Sequence, residues 1–328
     1  MALKLENISI HLPSLVLTNE MLAHEFNVST EDIFKKAGIK KRYISAPDEI
    51  SSDMAENAAI KLFNENGTDK SKIDFLIFCS EGFDYVAPPT SCILQHKLGL
   101  PDTIGCFDLP YGCSGYTYGL MLANSLMETG VAKKILFLTG DIPTKVIEKN
   151  NLELRSIFSD IGTATLLTLD ETKPATKFVY GTDGKGAFDL FVERSASRNP
   201  TDADFLGKTN LPIGRMIMNG TNVFLFAIKR VPNLVRETLE KNNLGLNDID
   251  LFVFHQANSF LLEVLRKKIK IPAEKFFTNI ESYGNSTSSS IPVALKDAEQ
   301  QGKLKKGMKI LLAGFGIGNS WSATIIEY

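Results

Sequence analysis

Residues 248–254 read Asp-Ile-Asp-Leu-Phe-Val-Phe, and residues 72–78 read Lys-Ile-Asp-Phe-Leu-Ile-Phe. Each run is short and apolar, which is typical of a buried strand. Each also follows a segment, 51–66 or 223–242, whose apolar residues recur on one helical face. The two runs start 176 residues apart (248 minus 72). This spacing indicates that one helix-strand unit occurs twice in the chain.

Two further similarities have nearly the same spacing. Residues 134–138 resemble residues 309–312 at an offset of 175, and Tyr111-Gly112-Cys113-Ser114 resembles Tyr283-Gly284-Asn285-Ser286 at an offset of 172. A single similarity between apolar strands is uninformative, but three in the same order at nearly one spacing indicate an internal repeat. The sequence therefore predicts a duplicated α/β protein.

The predicted halves are residues 1–172 and residues 173–328. Helices and apolar strands alternate in each half, which predicts mostly parallel sheets covered by helices. The segments 114–130 and 286–301 are rich in Gly, Ala, Ser and Thr. Because small side chains allow close backbone approach, we expect these two segments to be helices in the middle of the molecule, between the sheets.

Composition excludes several classes of protein. The chain of 328 residues has 36 basic and 38 acidic side chains, a net charge of −2, which argues against a general nucleic-acid binder. No run of apolar residues approaches the length of a membrane span, and the N-terminal segment carries Lys4 and Glu6 where a signal peptide is apolar. Four cysteines without zinc-site spacing predict free thiols, no metal site and a cytoplasmic location.

Cys113 is a candidate nucleophile. Residues 106–108 are predicted to end a strand, and a helix is predicted to begin near Ser114. A thiol at a helix N-terminus lies near the positive end of the helix dipole, which favours the thiolate. The alternative is an inert buried cysteine, which is common in protein cores.

His255 and Asn285 are candidates to act beside Cys113. His255 directly follows the predicted strand 251–254, and ligands of α/β sheets bind beyond the carboxyl ends of strands. Asn285 occupies the turn that corresponds to the Cys113 turn, and equivalent turns of a duplicated fold meet near its pseudo-twofold axis. The alternatives are a hydrogen-bonded core histidine and a simple turn asparagine.

The glycine-rich segment Gly314-Phe315-Gly316-Ile317-Gly318 superficially resembles a dinucleotide-binding motif. Only ten residues follow Gly318, too few for the remainder of that fold. Residues 322–328 instead read as a returning strand, so the segment is predicted to be a hairpin whose backbone N–H groups can face an oxyanion.

With these residues, the chain resembles the thiolase superfamily, and within it β-ketoacyl-acyl-carrier-protein synthase III (KAS III). The resemblance covers nearly the whole chain. It rests on residues 37–42, 108–120, 254–258, 283–286 and 314–321. It implies a five-layered αβαβα fold, a homodimer and a catalytic triad of Cys113, His255 and Asn285.

The resemblance also implies a function in fatty-acid or related lipid metabolism. Cys113 takes an acyl group from a thioester, a malonyl-type thioester loses CO2, and the carbanion attacks acyl-Cys113. His255 and Asn285 hydrogen-bond the enolate oxygen, and the N–H groups of Cys113 and Ile317 hold the tetrahedral oxyanion. Substrates are thioesters of acyl carrier protein or coenzyme A, with no further cofactor.

Two other groups of residues are assigned through the resemblance. The first lines the substrate pocket or its loop and comprises Phe158, Phe188, Gly316 and Gly318. The second is a basic helix end predicted to receive acyl carrier protein and comprises Arg266, Lys267 and Lys268. A solvated helix end is the alternative interpretation of the basic group.

The sequence departs from the family pattern at several positions. Asp32 and Leu152 occupy positions where coenzyme A-primed members of the family often have a Trp and an Arg. Those two side chains bind the adenine of coenzyme A. This favours a carrier-protein donor or a specialised thioester. Ile317 replaces the central glycine of the terminal loop, and a β-branched residue tolerates a positive φ poorly. The chain is therefore predicted to act in a specialised lipid or secondary-metabolite pathway.

Two alternative functions remain open from the sequence. The first is a KAS III-like acyltransferase that passes the acyl group to an alcohol or amine without decarboxylation. The second is a non-catalytic partner subunit of a condensing enzyme, although the intact Cys113, His255 and Asn285 argue against it.

Overall fold

The computed structural model describes residues 1–193, 195 and 214–328. The strands within this part of the chain are β1 (Ala2–His11), β2 (Leu15–Thr18), β3 (Lys41–Ile44), β4 (Phe75–Cys79), β5 (Gly105–Leu109), β6 (Ile135–Asp141), β7 (Ile161–Asp170), β8 (Phe178–Thr182), β9 (Leu190–Glu193), β10 (Arg215–Met218), β11 (Leu251–Phe254), β12 (Phe276–Phe277), β13 (Lys309–Gly316) and β14 (Ser320–Glu327). The α-helices are α1 (Asn19–Phe26), α2 (Thr30–Ala37), α3 (Ser51–Asn66), α4 (Thr90–Lys97), α5 (Gly115–Glu128), α6 (Leu152–Arg155), α7 (Gly220–Asn242), α8 (Ser259–Ile269), α9 (Ile280–Tyr283) and α10 (Ser290–Gln300).

Two five-stranded sheets form the frame of the molecule. Their strand orders are β1-β7-β6-β4-β5 and β12-β11-β13-β14-β8. The inner strands β4, β5 and β6 are parallel, as are β11, β12 and β13, while β1, β7, β8 and β14 run antiparallel to their neighbours. Two small ribbons, β2–β3 and β9–β10, complete the sheet structure among the described residues.

Alternation along the strands separates the core into layers. In β4, Leu76 and Phe78 pack with α3 and α4 on the outer side of the first sheet, whereas Ile77 packs inward. The inner cluster combines side chains of both sheets with α5 and α10. A third cluster packs α7 and α8 against the outer side of the second sheet. The predicted five-layered αβαβα arrangement, with small-residue helices between the sheets, is confirmed.

The two predicted halves correspond to the two sheets. Strands of the first sheet lie within residues 2–170, and strands of the second lie within residues 178–327. The boundary between residues 172 and 173 falls in the connection between β7 and β8. The division of the chain into two related domains at this point stays a prediction.

Helix ends follow local sequence chemistry. The side chain of Asn219 caps the N-terminus of α7, and Asn243 ends that helix in the left-handed conformation. Asn258 caps the N-terminus of α8 in the same way, by accepting from the backbone N–H of Leu261. This cap fixes where α8 begins relative to the neighbouring His255.

Helix α3 approaches the first sheet at a pair of glycines. Gly140 of β6 pairs with Gly162 of β7 in register. A Cβ placed on Gly140 would lie 2.4 Å from the carbonyl oxygen of Ser51, and one on Gly162 would lie 2.2 Å from backbone atoms of Met54. The helix backbone therefore rests directly on the sheet at this pair.

Candidate active site

Cys113 lies in the turn between β5 and α5. Because β5 ends at Leu109 and α5 begins at Gly115, the predicted succession of strand, cysteine and helix is confirmed. The Cys113 side chain is only 5% exposed. A Cβ placed on Gly316 would lie 2.6 Å from the Cβ of Cys113 and 2.8 Å from its sulfur. The backbone of the terminal loop, at Gly316, is therefore in close contact with the Cys113 thiol.

At Cys113, burial opposes the thiolate that the helix N-terminus is predicted to favour. Burial raises the pKa of the Cys113 thiol well above its ordinary value, and the nearby Glu81 carboxyl raises it further. A hydrogen bond with the backbone of Ile317 lowers this pKa only in part. Desolvation of the charged form is the largest of these effects, and the net shift favours the neutral thiol in the resting site.

His255 follows directly after the last residue of β11 and is 2% exposed. Its backbone N–H donates to the carbonyl oxygen of Ala313 at 2.8 Å, and its Nδ1 lies 2.7 Å from Oγ of Ser290. Phe315 packs against the imidazole in an edge arrangement. Burial lowers the pKa of His255 to about 3. The imidazole is therefore neutral at physiological pH.

Asn285 lies in the turn after α9 and is 5% exposed. Gly284 enters this turn with a φ of 68°, a left-handed conformation that favours glycine. The backbone N–H of Asn285 donates to the carbonyl oxygen of Ile157 at 2.9 Å, and its Oδ1 accepts from the Thr287 N–H at 3.0 Å. The side-chain amide is thus held in one orientation.

The terminal loop joins β13 to β14 as the predicted hairpin. Positive φ values fall on Gly316 (156°) and Gly318 (128°), and Ile317 does not adopt one. The flanking glycines therefore remove the conformational difficulty that the sequence raises for Ile317.

Cys113, His255 and Asn285 line one cavity of about 80 Å³. The cavity lies where the carboxyl ends of strands from both sheets meet. Phe158 and Gly316, two of the residues predicted for the substrate pocket or its loop, also line it. Side chains that the sequence did not single out complete its apolar wall, among them Leu190, Met218, Val223, Phe224, Leu261 and Phe315.

Of the other two residues predicted for the pocket or its loop, Phe188 lies away from the cavity and Gly318 lies in the terminal loop. The Phe188 side chain is 77% exposed and packs edge-on against Phe191, which corrects its assignment to the pocket. Its aromatic character gave no information about the direction of the side chain. Gly318 supports the loop through its backbone conformation and does not line the cavity.

The predicted basic group occupies the end of α8 that is remote from the cavity. Asn258, at the start of α8, lines the cavity, and the helix of 11 residues spans about 16 Å. Arg266 makes two hydrogen bonds to Glu263, and Lys267 forms an ion pair with the same carboxylate. Part of the basic charge is therefore neutralised within the helix.

A pair of carboxyl groups lies behind the nucleophile turn, and the sequence analysis did not identify it. Asp141, at the end of β6, accepts hydrogen bonds from the Glu81 backbone and from Thr287 and Ser288. Desolvation of the Glu81 carboxyl by surrounding protein atoms, together with the nearby Asp141, raises the pKa of Glu81, although part of this residue is exposed. Glu81 lies two residues after β4, and Asp141 is the last residue of the neighbouring parallel strand β6. An acidic residue near the carboxyl end of each strand was the sequence feature that pointed to this pair.

Three further findings concern the described residues. None of their His, Cys, Asp and Glu side chains gather in a group that could hold a metal ion. None of their helices is both long and apolar enough to cross a membrane. All four cysteines are free thiols, as predicted.

Comparisons with known proteins agree with this geometry. Residues 107–184 match the family model of 3-oxoacyl-[acyl-carrier-protein (ACP)] synthase III, and residues 239–328 match the model of its C-terminal part. A beta-ketoacyl-acyl-carrier-protein synthase III of Fusobacterium nucleatum is 32% identical, over 99% of this chain and 98% of its own.

Solved structures give the same result. A crystal structure of a 3-oxoacyl-(acyl-carrier-protein) synthase III has a TM-score of 0.94 and 39% identity, covering 99% of both chains. The beta-ketoacyl-acyl-carrier-protein synthase III of Thermus thermophilus has a TM-score of 0.90 and 32% identity, over 99% of this chain and 98% of its own.

Proposed function

Because the chain belongs to the β-ketoacyl-acyl-carrier-protein synthase III family of condensing acyltransferases, we propose that Cys113, His255 and Asn285 perform its decarboxylating Claisen condensation. The observation that carries this assignment is that the three side chains, from both halves of the chain, line one buried cavity. The substrates are an acyl thioester and a malonyl-type thioester of acyl carrier protein or coenzyme A.

In the first step the Cys113 sulfur attacks the carbonyl carbon of the acyl thioester. A new carbon–sulfur bond forms, the bond to the donor thiol breaks, and the donor thiol leaves with the proton of Cys113. The raised pKa of the Cys113 thiol means that this proton is present at the start. The thiolate is formed within the reaction and is not stored in the resting site.

In the second step the malonyl-type thioester loses CO2. Its carbon–carbon bond breaks, and negative charge develops on the thioester oxygen. Nδ1 of the neutral imidazole lies 2.7 Å from Ser290 Oγ. We assign the Ser290 hydroxyl as the donor of this hydrogen bond, which places the imidazole proton on Nε2, where it can donate to that oxygen. The Asn285 amide is the second donor. Burial strengthens both hydrogen bonds because water is excluded.

In the third step the carbanion attacks acyl-Cys113. The tetrahedral oxyanion accepts from the backbone N–H groups of Cys113 and Ile317, and its collapse expels the Cys113 thiolate, which takes a proton from solvent. The Ile317 backbone, which hydrogen-bonds the Cys113 sulfur, is near enough for this role. A missing donor of this kind typically costs about 3–4 kcal/mol of barrier.

Acylation of Cys113 is the first test of this function. The wild-type chain is incubated with a panel of acyl groups, offered as thioesters of both coenzyme A and acyl carrier protein, and analysed by intact-mass spectrometry. We expect one acyl adduct on Cys113, which disappears with release of CO2 and a 3-ketoacyl product when malonyl thioester is added.

Each other result contradicts the proposal in a definite way. An adduct that passes to an added alcohol or amine, without CO2 release, indicates the non-decarboxylating acyltransferase. The absence of any adduct with any donor indicates a non-catalytic partner subunit.

The pH dependence of decarboxylation tests the charge of His255. Its pKa of about 3 lies below the ordinary value of about 6.5, so lowering the pH from 7 to 5 leaves the imidazole neutral. We expect the rate of CO2 release from malonyl thioester to stay within about twofold over this range. A tenfold loss of rate with a midpoint near pH 6.5 contradicts the neutral hydrogen-bond donor.

The partners and the pathway are part of the same proposal. Relatives are named for acyl carrier protein, which supports a carrier-protein thioester as one substrate. The exposed Lys267 and Lys268 at the end of α8 stay the predicted docking site for acyl carrier protein. The third residue of this predicted group, Arg266, is hydrogen-bonded to Glu263. A homodimer, a cytoplasmic location and a specialised lipid pathway also stay predictions.

A further inference from the structure

The residues that follow Asn285 set the direction of its side-chain amide. Oδ1 of Asn285 accepts from the Thr287 N–H at 3.0 Å, and Nδ2 lies 3.4 Å from the carbonyl oxygen of Ala257. Turning the amide by half a rotation would exchange Oδ1 and Nδ2. An acceptor would then face the thioester oxygen on which negative charge develops. The donor role of Asn285 therefore depends on the position of the Thr287 N–H.

Thr287 holds this N–H in an unfavourable backbone conformation. Its φ is 48°, in the left-handed region, where a β-branched residue is an outlier. Such a conformation persists only where the surrounding structure fixes it. Thr287 is buried and begins a short 3₁₀ turn, Thr287–Ser289, that leads directly into α10. Contacts from outside this turn must therefore hold it in place.

Asp141, at the end of β6 and 146 residues earlier in the chain, supplies such contacts. Its Oδ2 accepts from the hydroxyl groups of Thr287 and Ser288 and, at 3.2 Å, from the Ser288 N–H. Its Oδ1 accepts from the Glu81 N–H at 2.8 Å. One carboxylate oxygen thus receives three hydrogen bonds from two successive residues of the turn, and the other oxygen is held by the segment after β4.

A carboxylate suits this position better than an amide does. An ionised carboxylate is an acceptor on both oxygens, whereas an amide has one acceptor oxygen and one NH2 donor. Asparagine at position 141 would therefore set its NH2 group against the Glu81 N–H or against the Ser288 N–H. Because Asp141 is only 2% exposed, bulk water does not satisfy the donors that lose their acceptor.

The same segment carries the partner of His255. Ser290, the first residue of α10, directly follows the 3₁₀ turn, and its Oγ lies 2.7 Å from Nδ1 of His255. A displacement of the turn would therefore move the groups that orient both Asn285 and His255.

We propose that Asp141 is a positioning residue for decarboxylation, because its contacts with Thr287 and Ser288 hold the turn that directs the Asn285 amide, and through Ser290 the imidazole of His255, toward the thioester oxygen. This inference rests on the proposed function, since it concerns the two donors assigned to the enolate. Acylation of Cys113 forms no enolate and is therefore expected to be largely independent of Asp141.

Asp141→Asn tests the two half-reactions separately. Acylation of Cys113 is followed by intact-mass spectrometry with acetyl, butyryl and hexanoyl thioesters of coenzyme A and of acyl carrier protein, and the donor that acylates the wild-type chain fastest is used for every variant. CO2 release from the malonyl thioester of acyl carrier protein is measured over a range of concentrations, which gives kcat and KM separately. We expect kcat for CO2 release to fall by at least about tenfold, because a donor is misplaced. The acylation rate and KM are expected to change by less than about threefold.

Two variants of Thr287 leave Asp141 in place and decide the question if Asp141→Asn does not fold. Thr287→Val keeps the branched shape and removes only the hydroxyl that donates to Asp141. It is expected to lower kcat for CO2 release by about fivefold or more, with acylation unchanged. Thr287→Ser keeps that hydroxyl, so both rates are expected to stay within about twofold of wild type.

Ser289→Ala is the matched control within the same turn. Its hydroxyl group is buried, and within the described ranges it hydrogen-bonds with Thr139 and with the carbonyl oxygen of Ile161. Its removal is expected to lower the free energy of unfolding. The ratio of the CO2-release rate to the acylation rate is expected to stay within about twofold of wild type.

The outcomes separate a positioning role from a purely structural one. A loss confined to CO2 release in Asp141→Asn or Thr287→Val, and absent from Thr287→Ser and Ser289→Ala, supports the proposal. An equal loss of both half-reactions, an unchanged ratio, or the same change of ratio in Ser289→Ala overturns it and leaves the condensing function intact. Faster CO2 release by Asp141→Asn also overturns it, because the negative charge of Asp141 would then oppose the enolate more than its contacts help. A wild-type chain that is not acylated, or releases no CO2, overturns the proposed function as well.

Discussion

Replacing Cys113 with alanine is expected to lower the rate of 3-ketoacyl formation by about a thousandfold or more, because the acyl group then has no nucleophile to receive it. Decarboxylation is expected to persist. The groups proposed to stabilise the enolate, His255 and Asn285, keep their own hydrogen-bond partners, Ser290 and Thr287, when the thiol is removed. The measurement is CO2 release from malonyl thioester, followed in parallel with the 3-ketoacyl product.

Cys92→Ala is the matched control for this experiment. Cys92 is a free, exposed cysteine on α4, so its removal is expected to leave both rates within about twofold of wild type. If Cys113→Ala retained the ketoacyl product at a wild-type rate, Cys113 would not be the acyl carrier. Loss of both activities in a folded variant would show that decarboxylation needs the thiol.

The largest expected loss of stability comes from Gly162→Ala. Its new methyl group would lie 2.2 Å from the backbone of Met54 in α3, and a backbone atom cannot move aside as a flexible side chain can. The helix must shift away from the sheet, which we expect to cost at least about 3 kcal/mol of unfolding free energy. Urea denaturation measures this loss, and a low yield of folded protein is the extreme form of the same result.

Gly184→Ala is the control for the same chemical change. A Cβ on Gly184 meets no atom within 4 Å, so its unfolding free energy is expected to stay within about 0.5 kcal/mol of wild type. Equal stabilities for the two variants would show that α3 does not rest on the sheet at Gly162 as described.

The repeat was the part of the fold that the sequence could reveal. Apolar strands such as 251–254 and the matching turns around Cys113 and Asn285 are local patterns, and their nearly constant spacing predicted a duplicated α/β protein. The positions of Cys113, His255 and Asn285 followed because strand ends and equivalent turns have fixed places in such a fold. Ile317 was also placed in the terminal loop from the sequence alone.

What the sequence left open depends on the direction of side chains and on contacts between distant segments. Nothing local indicates that Phe158 points into the cavity while Phe188 points into solvent. The neutral state of Cys113 follows from burial by Gly316, 203 residues later (316 minus 113). Glu81 gained significance only when β4 and β6 placed it beside Asp141.

The contact between Gly316 and Cys113 also has a consequence for the order of folding. The thiol is covered by one of the last segments of the chain, the hairpin of β13 and β14. Until that hairpin docks, Cys113 has neither the desolvation that keeps it neutral nor the backbone that shields it. An unfinished chain therefore exposes a more acidic and more easily oxidised thiol than the completed protein, and closure of the terminal hairpin protects the nucleophile.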